Sequence, residues 1–402
     1  MIEIELKNVA AYGKDKIDAT TLNKYNYIST DNLIPDKGGI STSDYLPVKG
    51  KVSKFDIGDT LVSNIRPYFK KIWYANEIGG CSNDVIVFKP NKNKIDPKFL
   101  YYQLSKDEFF DFMMSGANGT KMPRGNKNAI PTFRLNLPPL PTQKRIASIL
   151  STYDDLIENN SKRIKLLEEI AQRTYEEWFV KFSVNGEQLA IDEATGLPDG
   201  WMNIELGSFL IKLESGGRPK GGIDKDLKNG IPSIGAENVL GLGQYKYGNE
   251  KIVTKSFFEK MRKGIVEDKD ILVYKDGAYI GKTSMFQDGF PHEVCAVNEH
   301  VFLINTGKSE LQNYLFFTLN RREYFMKMQS LNSNAAQPGI NQEKLKSLEI
   351  TIPTLNIIND YHIVAEPLTK QIFKLAKMND KLKQSRDILL PRLMSGTINV
   401  ES

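Results

Sequence analysis

The sequence contains little cysteine, little histidine and no long apolar run, and each of these absences excludes a class of protein. Two cysteines among 402 residues cannot form a disulfide framework, which excludes a small disulfide-bonded scaffold. The three histidines lie far apart and lack cysteine or carboxylate at the spacing of a zinc site. No apolar run reaches the ~18 residues of a membrane-spanning helix, and the first residues carry no basic-then-apolar leader. We therefore expect a cytoplasmic protein that is neither secreted nor embedded in a membrane.

The composition is that of a soluble globular protein. Apolar residues make up 40% of the chain and charged residues 26%. The length is sufficient for two or three hydrophobic cores of ordinary size. The net charge of +5 and the isoelectric point near 8.8 permit a polyanionic partner without requiring one.

An internal repeat is the most informative feature of the chain. Ten residues of the first third recur in the same order 215 positions later, without a gap. They are Leu100, Leu104, Glu108, Phe110, Met113, Ser115, Pro123, Asn126, Pro138 and Leu140, matched by Leu315, Leu319, Glu323, Phe325, Met328, Ser330, Pro338, Asn341, Pro353 and Leu355. A period of this length indicates two whole domains and excludes a solenoid of short repeats.

The offset between the copies is smaller near their beginnings. Residues 4–6 match residues 204–206, Asn32 matches Asn238, and Cys81 matches Cys295. The second copy has therefore gained residues in steps, as surface loops do. Two similar modules in one chain suggest a target that is read in two similar halves.

The periodicity divides the chain into four parts and predicts an α+β fold. Residues 1–142 form the first part, in which short β-type runs and glycine-rich turns precede a predicted helix over residues 97–114. A first long helix is expected over residues 143–182, with Thr142 as its N-cap. Residues 183–355 form a linker and the second copy. Residues 356–402 form a second long helix and a tail.

Both long helices carry an apolar stripe with heptad-like spacing. The predicted packing positions are Ile146, Ile149, Tyr153, Leu156, Leu167 and Ile170 in the first helix and Tyr361, Val364, Leu368, Leu375, Leu382 and Leu389 in the second. Pro367 is expected to start or kink the second helix, and Pro391 to limit its end. Two such stripes in one chain predict an antiparallel coiled coil, related by a pseudo-twofold axis, with a domain at the N-terminal end of each helix. A helix of about 38 residues spans roughly 57 Å, so the pair would act as a ruler between two reading domains.

Five segments resemble the specificity subunits of type I restriction–modification systems. Residues 137–146 (Leu-Pro-Pro-Leu-Pro-Thr-Gln-Lys-Arg-Ile) and Trp178-Phe179 are similar to the family's central conserved region. Residues 197–201 (Leu-Pro-Asp-Gly-Trp) resemble the opening of the second domain, and residues 389–396 resemble the C-terminal signature. Residues 58–68 resemble one kind of target recognition domain. The order of these segments is more specific than any one of them.

The resemblance implies a protein without catalysis of its own. Each target recognition domain would read one half of a bipartite, asymmetric DNA site, and the coiled coil would set the gap between the halves. Two methylation subunits, which bind S-adenosylmethionine, would dock on the long helices. Restriction and translocation subunits, which use ATP and Mg, would complete the enzyme.

Basic and amide side chains in loops of both copies are the predicted DNA contacts, because Arg and Lys suit phosphates and guanine whereas Asn and Gln suit adenine. In the first copy they are Arg66, Tyr68, Lys70, Lys71, Lys121, Arg124, Asn126 and Lys127. In the second copy they are Arg218, Lys220, Lys275, Lys282, Gln337 and Asn341. Exposed solubilising charge is the alternative interpretation for each residue taken singly.

Two other functions stay open at this point. One is a DNA methyltransferase or nuclease with unrecognised motifs. Residues 277–283 resemble a phosphate-binding loop but are one residue short, and the following residues read as a strand instead of a helix. Residues 136–140 echo a methyltransferase motif that an inserted leucine interrupts. The other is a coiled-coil scaffold for proteins that has no role with DNA.

Overall fold

The computed structural model describes residues 2–117, 119, 121–224, 226–227, 229–248, 250–332 and 338–400. The chain divides into two compact units. The first consists of Met1–Leu156 with Leu382–Ser402, and the second consists of Ile157–Lys381. Each unit contains one copy of the repeat and a segment of each long helix. No helix within the described residues is long and apolar enough to cross a membrane.

The first copy is a mixed domain of short strands followed by two helices. Its strands are Ile2–Glu5 (β1), Ala10–Tyr12 (β2), Lys16–Asp18 (β3), Tyr27–Ile28 (β4), Lys51–Phe55 (β5), Thr60–Ser63 (β6), Ile72–Tyr74 (β7), Gly79–Cys81 (β8), Val85–Pro90 (β9) and Arg134–Leu137 (β10), and its helices are Pro97–Leu104 (α1) and Asp107–Ser115 (α2). One sheet has the order β2-β9-β6-β7, a second has β3-β5-β8-β4, and β1 pairs with β10. The run from Val85 to Phe88 is buried and lies in β9, one of the short β-type runs of the first copy.

The single helix predicted over residues 97–114 is in fact two helices. Asp96 caps α1 by accepting a hydrogen bond from the Phe99 amide at 3.0 Å. The helix ends where the Ser105 hydroxyl donates back to the Tyr101 carbonyl at 2.7 Å. Lys106 then adopts an extended backbone before α2 begins. The apolar spacing continues through this break, so it predicts the buried face correctly and misses the bend.

The first long helix spans Leu140–Phe179 (α3). It starts two residues before the predicted N-cap Thr142, which therefore lies inside its first turn. Gln143 fixes this start: its side chain accepts from the Asp96 amide at 2.9 Å and donates to the Pro138 carbonyl at 2.8 Å. Since Gln143 is 1% exposed, these bonds satisfy an amide that would otherwise be costly to bury.

A short hairpin precedes the second copy, which repeats one four-stranded sheet of the first copy and alters the other. The hairpin strands are Ser183–Val184 (β11) and Glu187–Gln188 (β12). The strands of the second copy are Met202–Glu205 (β13), Lys212–Ser215 (β14), Ile231–Ile234 (β15), Lys251–Val253 (β16), Ile271–Tyr274 (β17), Thr283–Met285 (β18), Ala296–Val297 (β19), Val301–Asn305 (β20) and Glu349–Ile352 (β21). Its helices are Lys255–Phe258 (α4), Ser309–Leu319 (α5), Arg322–Ser330 (α6) and Gln342–Lys346 (α7).

Equivalent strands pair in the two copies. The sheet β14-β20-β17-β18 matches β2-β9-β6-β7, and β13 pairs with β21 as β1 pairs with β10. The parallel pairing of β4 with β8 recurs as that of β15 with β19. Cys81 and Cys295 are both buried and free at matching places, as the repeat predicts. The internal repeat is therefore a repeat of structure, and the α+β prediction is confirmed.

The second long helix spans Leu355–Met394 (α8) and contains both Pro367 and Pro391. Pro367 does not start this helix, because the helix begins twelve residues earlier. Pro391 lies within the last turn. Each proline removes one backbone donor, and both rings lie at exposed positions where water can satisfy the freed carbonyl. Burial of Tyr361, Ala365 and Ile372 along the opposite face stabilises the helix through this region.

Within each unit, α3 and α8 pack antiparallel, as predicted. In the first unit Arg386 donates to Asp154 at 2.6 Å. In the second unit the Tyr361 hydroxyl donates to the Ala171 carbonyl at 3.1 Å, while Asn160 donates to Asn379 at 3.0 Å. In the second unit, Ala171 follows Asn160 along α3, whereas its partner Tyr361 precedes Asn379 along α8. The two helices therefore run in opposite directions.

Three of the predicted packing positions are wrong. Leu156 is 45% exposed, Ile170 is 50% exposed and Val364 is 38% exposed. An α-helix has 3.6 residues per turn, so a strict seven-residue pattern drifts about 20° per heptad and leaves the buried face. The other predicted positions are buried or partly buried: Ile146, Ile149, Tyr153, Leu167, Tyr361, Leu368, Leu375, Leu382 and Leu389.

Candidate nucleic-acid interface

The predicted basic residues of the first copy lie in two loops that pair with each other. The Arg66 amide donates to the Pro123 carbonyl at 2.8 Å, and the Gly125 amide donates to the Asn64 carbonyl at 3.1 Å. Between them, Ile65 and Arg124 form an isolated β-bridge. We call residues 64–71 together with residues 121–127 loop pair 1. The structure thus brings together two clusters that lie about 55 residues apart in the sequence.

Backbone strain gives loop pair 1 its shape. Arg66 has φ 49° and Lys70 has φ 50°, the left-handed region that residues other than glycine seldom adopt. Between them, Pro67–Phe69 forms one turn of 3-10 helix. Such strain persists only where the surroundings enforce it and is concentrated at functional sites. The turn leaves Tyr68 47% exposed and Phe69 37% exposed, with their ring centroids 4.6 Å apart.

Several cations of loop pair 1 already have partners. Lys70 and Lys37 both contact the Asp107 carboxylate at 2.9 Å, and together they lower its pKa although burial opposes this. Arg124 lies 3.4 Å from Asp84.

Two lysines of loop pair 1 instead donate to backbone carbonyl groups. Lys71 donates to the Thr30 carbonyl, and burial lowers the pKa of its amine. Lys127 donates to the Asn83 carbonyl at 3.3 Å. The sequence pattern gave no indication of these acceptors.

Arg66 differs from these cations. Its Nε is buried and has no hydrogen-bond partner among the described residues. A buried donor that lacks a partner costs about 1–3 kcal/mol, so it calls for an acceptor that the described residues do not supply. Lys121 is exposed on the same loop pair.

The second copy builds the same loop pair from different residues. The Gly277 amide donates to the Pro338 carbonyl at 2.9 Å, and the Ile340 amide donates to the Lys275 carbonyl at 3.0 Å. Asp276 and Gly339 form the intervening bridge. We call residues 275–282 together with residues 338–341 loop pair 2.

A proline occupies the same place in both loop pairs, but the neighbouring positions differ. Gly339 stands where the first copy has Arg124. A Cβ at Gly339 would lie 2.6 Å from the Asp276 carboxylate oxygen, so a larger residue there would have to displace the acidic side chain.

Loop pair 2 belongs to a chain of charged groups. Asp276 accepts from Lys275 at 2.7 Å and lies 3.0 Å from His300 Nδ1. Glu299, next along the chain, lies 3.1 Å from Arg218 Nε. The exposed Arg218 and the loop pair are thus joined through Glu299, His300 and Asp276. Sequence reasoning missed Asp276, Glu299 and His300, because Asp276 and His300 lie 24 positions apart and Glu299 lies 81 positions from Arg218.

Other predicted residues of the second copy have simpler surroundings. Lys220 is exposed, and Lys282 is half-buried where the turn after β17 returns to β18. Residues 277–283 resemble a phosphate-binding loop, and the strand β18 begins within them at Thr283. This confirms the expectation that a strand, and not a helix, follows that loop. Gln337 lies outside the described residues.

The side-chain oxygen of each predicted asparagine already accepts a hydrogen bond from a nearby backbone amide. Asn341 accepts from the Lys344 amide at 2.9 Å and thereby caps α7. At the equivalent repeat position, Asn126 accepts from the Asn128 amide at 3.0 Å. A bidentate contact with adenine needs both the oxygen and the nitrogen of the amide. Their matching positions in the repeat therefore reflect a shared turn.

Comparison with known proteins identifies the class of this paired-loop structure. A family model described as the type I restriction modification DNA specificity domain matches residues 3–169 and again residues 198–383. The chain is a DNA-recognition protein that is not itself an enzyme. It belongs to the family of type I restriction–modification specificity subunits.

Individual relatives agree with this assignment. The chain is 27% identical over 319 residues to the MjaIX specificity subunit of Methanocaldococcus jannaschii, covering 77% of this chain and 71% of the relative. It is 25% identical over 394 residues to the MjaVIII specificity subunit of the same organism, covering 94% and 87%. The crystal structure of the S subunit from M. genitalium superimposes with a TM-score of 0.57 at 15% identity, covering 98% of this chain and 95% of that one. At this identity, the superposition shows that the two proteins share a fold.

Proposed function

We propose that the two copies read the two halves of a bipartite, asymmetric DNA site, through loop pair 1 and loop pair 2. One observation carries this proposal: the same backbone pairing is built twice and presents different chemistry each time. Loop pair 1 offers arginine and lysine, whereas loop pair 2 offers Lys275 beside Asp276 and His300. Arginine suits guanine, and a carboxylate accepts from the amino group of cytosine. One frame with two sets of polar groups suits two unlike half-sites.

The orphan Nε of Arg66 supports contact with DNA by loop pair 1. A phosphate or base oxygen would supply the acceptor that the described residues lack. The ion pairs at Lys70 and Arg124 are partly exposed and therefore weak, at about 0–1 kcal/mol. Exchange of Asp107 or Asp84 for a phosphate would thus cost little.

The remaining parts of the proposal concern partners. Two methylation subunits would dock on the long helices and would carry S-adenosylmethionine. Restriction subunits would bring ATP and Mg to the assembled enzyme. This chain would contribute recognition and spacing.

Salt-dependent binding of DNA by the assembled methyltransferase tests the proposal. Affinity for a DNA duplex that carries the methylated motif should fall steeply with salt, because contacts to phosphate release counterions. Affinity that is independent of both salt and sequence would favour a protein scaffold. A second assay titrates the purified chain alone with labelled S-adenosylmethionine, and saturable binding would favour an unrecognised methyltransferase.

A further inference from the structure

Two buried asparagines face each other where the long helices pack in the second unit. Asn160 of α3 is 4% exposed and Asn379 of α8 is 7% exposed. The Asn160 amide donates to the Asn379 carbonyl oxygen at 3.0 Å. In return, the Asn379 amide donates to the Ser161 hydroxyl at 3.2 Å and to the Ile157 carbonyl at 3.3 Å. We call Asn160 and Asn379 the Asn pair.

Apolar packing alone leaves the register of these helices ambiguous. The side chains one or two turns away, such as Ile164, Ile372 and Leu375, are buried aliphatics. A stripe with an apolar residue at every seventh position still places apolar side chains opposite each other after a slip of seven residues. The hydrophobic contribution therefore distinguishes poorly between the observed register and its neighbours.

The Asn pair removes this ambiguity. A slip of seven residues in one direction would bring Asn160 opposite Ile372, and a slip in the other direction would bring Asn379 opposite Leu167. In either case a buried side-chain amide would lose its hydrogen-bond partner. The free-energy cost of leaving a buried polar group without a partner is larger than the net stabilisation that the intact hydrogen bond provides. Buried polar pairs are best attested in this role of fixing the register of packed helices.

We propose that the Asn pair locks the register of α3 against α8 and thereby fixes the length of the gap between the two half-sites. The first part of this inference stands on the geometry of the second unit alone. The second part rests on the proposed function, because a gap exists only if the two copies read separate half-sites. Asn160 and Asn379 are thus positioning residues for specificity and do not contact DNA.

The register is measured by pulsed electron paramagnetic resonance in the complete chain. Spin labels are placed on Lys162→Cys and Lys370→Cys, both exposed and offset by about two helical turns, while the buried native cysteines stay in place. A slip of seven residues would shift one label by about 10 Å along the axis. The chain with the native Asn pair should give one distance. The Asn160→Leu/Asn379→Leu variant should give at least two.

Single variants and a matched control separate register from stability. Asn160→Leu alone leaves the Asn379 carbonyl oxygen buried without its donor, so its Tm should fall below that of the double variant. Asn159→Leu makes the same chemical change one residue away at an exposed position, and it should keep the single distance. A double variant that also keeps the single native distance would overturn the lock.

The consequence for specificity is measured by sequencing the methylated motif in cells that carry the double variant. Motifs with the two original half-sites and more than one gap length would support the inference. A single gap length, together with several label distances, would refute the assignment of gap length to the Asn pair. Absence of any bipartite motif with the native chain would count against the proposed function, whereas the label distances would still decide the register lock.

Discussion

At the scale of single residues, charged side chains in the loop pairs differ in whether the folded chain already satisfies them. Lys70 and Arg124 reach carboxylates, and Lys71 reaches a backbone carbonyl. Arg66 keeps a buried Nε without a partner in the described part of the chain. Since an unpaired buried donor gains more from a new acceptor than a paired surface cation does, Arg66 should contribute the most to binding.

Arg66→Ala should therefore weaken binding of specific DNA more than removal of a helix lysine does. If Arg66 contacts a phosphate, the slope of log affinity against log salt should decrease by about one unit. Lys162→Ala and Lys165→Ala provide the control, because both lysines are exposed on α3 and pair with Glu158 and Glu169. The measurement is a salt titration of each assembled complex. Salt dependence carried by the helix lysines would place DNA along the helices and would contradict the assignment to loop pair 1.

Two partly buried histidines should make the stability of the chain sensitive to mild acid. Burial lowers the pKa of His292 and of His362 from 6.5, although Glu250 and Glu366 oppose the shift. A base whose folded pKa is depressed binds protons more readily when unfolded. Stability should therefore be complete above pH 6.5 and should fall as the pH drops from there towards the lowered pKa values.

The His292→Gln/His362→Gln variant should lose less stability between about pH 6.5 and pH 5 than the native chain does. His300→Gln is the matched control, because His300 is 46% exposed. Denaturant unfolding at a series of pH values, without DNA, gives the comparison. Equal slopes for the native chain and the double variant would show that carboxylates alone cause the acid dependence.

At the scale of elements, a glycine loop of the second copy packs directly on the long helices. Gly243 has φ +64°, and a Cβ there would lie 2.6 Å from Ile372 and 3.6 Å from Ala376. The adjacent Leu242 is fully buried in the same core. This loop is one of the insertions that make the second copy longer than the first, so the added residues extend the core of the second unit.

Gly243→Ala should destabilise the chain more than Gly248→Ala does. Both glycines have positive φ, so each substitution carries the backbone cost of about 1–2 kcal/mol. Gly248 has open space around it, whereas the methyl group at position 243 must displace Ile372. Overpacking of this kind adds about 1–3 kcal/mol. Chemical denaturation measures the difference, and similar losses for the two variants would show that the helix side chains yield freely.

At the scale of the whole molecule, each copy of the repeat has its own core and its own loop pair. One hydrophobic cluster of the first unit joins Leu6, Phe88 and Phe109 with Ile146 of α3. A cluster of the second unit joins Leu206, Phe302 and Tyr314 with Tyr361 of α8. A domain that is stabilised within its own unit can be exchanged while the other unit keeps its structure.

Replacement of residues 1–142 by the corresponding domain of another family member should change one half-site only. The second half-site and the gap should persist, because loop pair 2 and the helix contacts of the second unit are unchanged. Sequencing of the methylated motif before and after the exchange provides the test. Alteration of both half-sites would contradict independent reading by the two copies.

Parts of the fold and of the site could be predicted from the sequence. The repeat, both long helices and their antiparallel pairing follow from spacing along the chain. The break after Leu104 and the exposure of Leu156 do not. Each of these depends on one hydrogen bond or on the angular drift of a helix face. The stripe also contained Asn160, but the sequence did not identify its partner on α8.

The sequence by itself determined the family, the twofold repeat and the positions of the helices, because these depend on motifs, on local conformational propensity and on the periodic spacing of apolar residues. Only the tertiary structure decided which basic residues share a surface and which of them already have partners. The Arg66 amide reaches Pro123 and the Asp276 carboxylate reaches His300 across long stretches of chain. The tertiary structure also showed that the side-chain oxygens of Asn126 and Asn341 each accept a hydrogen bond from a nearby backbone amide. Such pairings depend on how the strands and loops dock. The interacting groups are close in space but far apart along the chain, so local sequence patterns do not predict them.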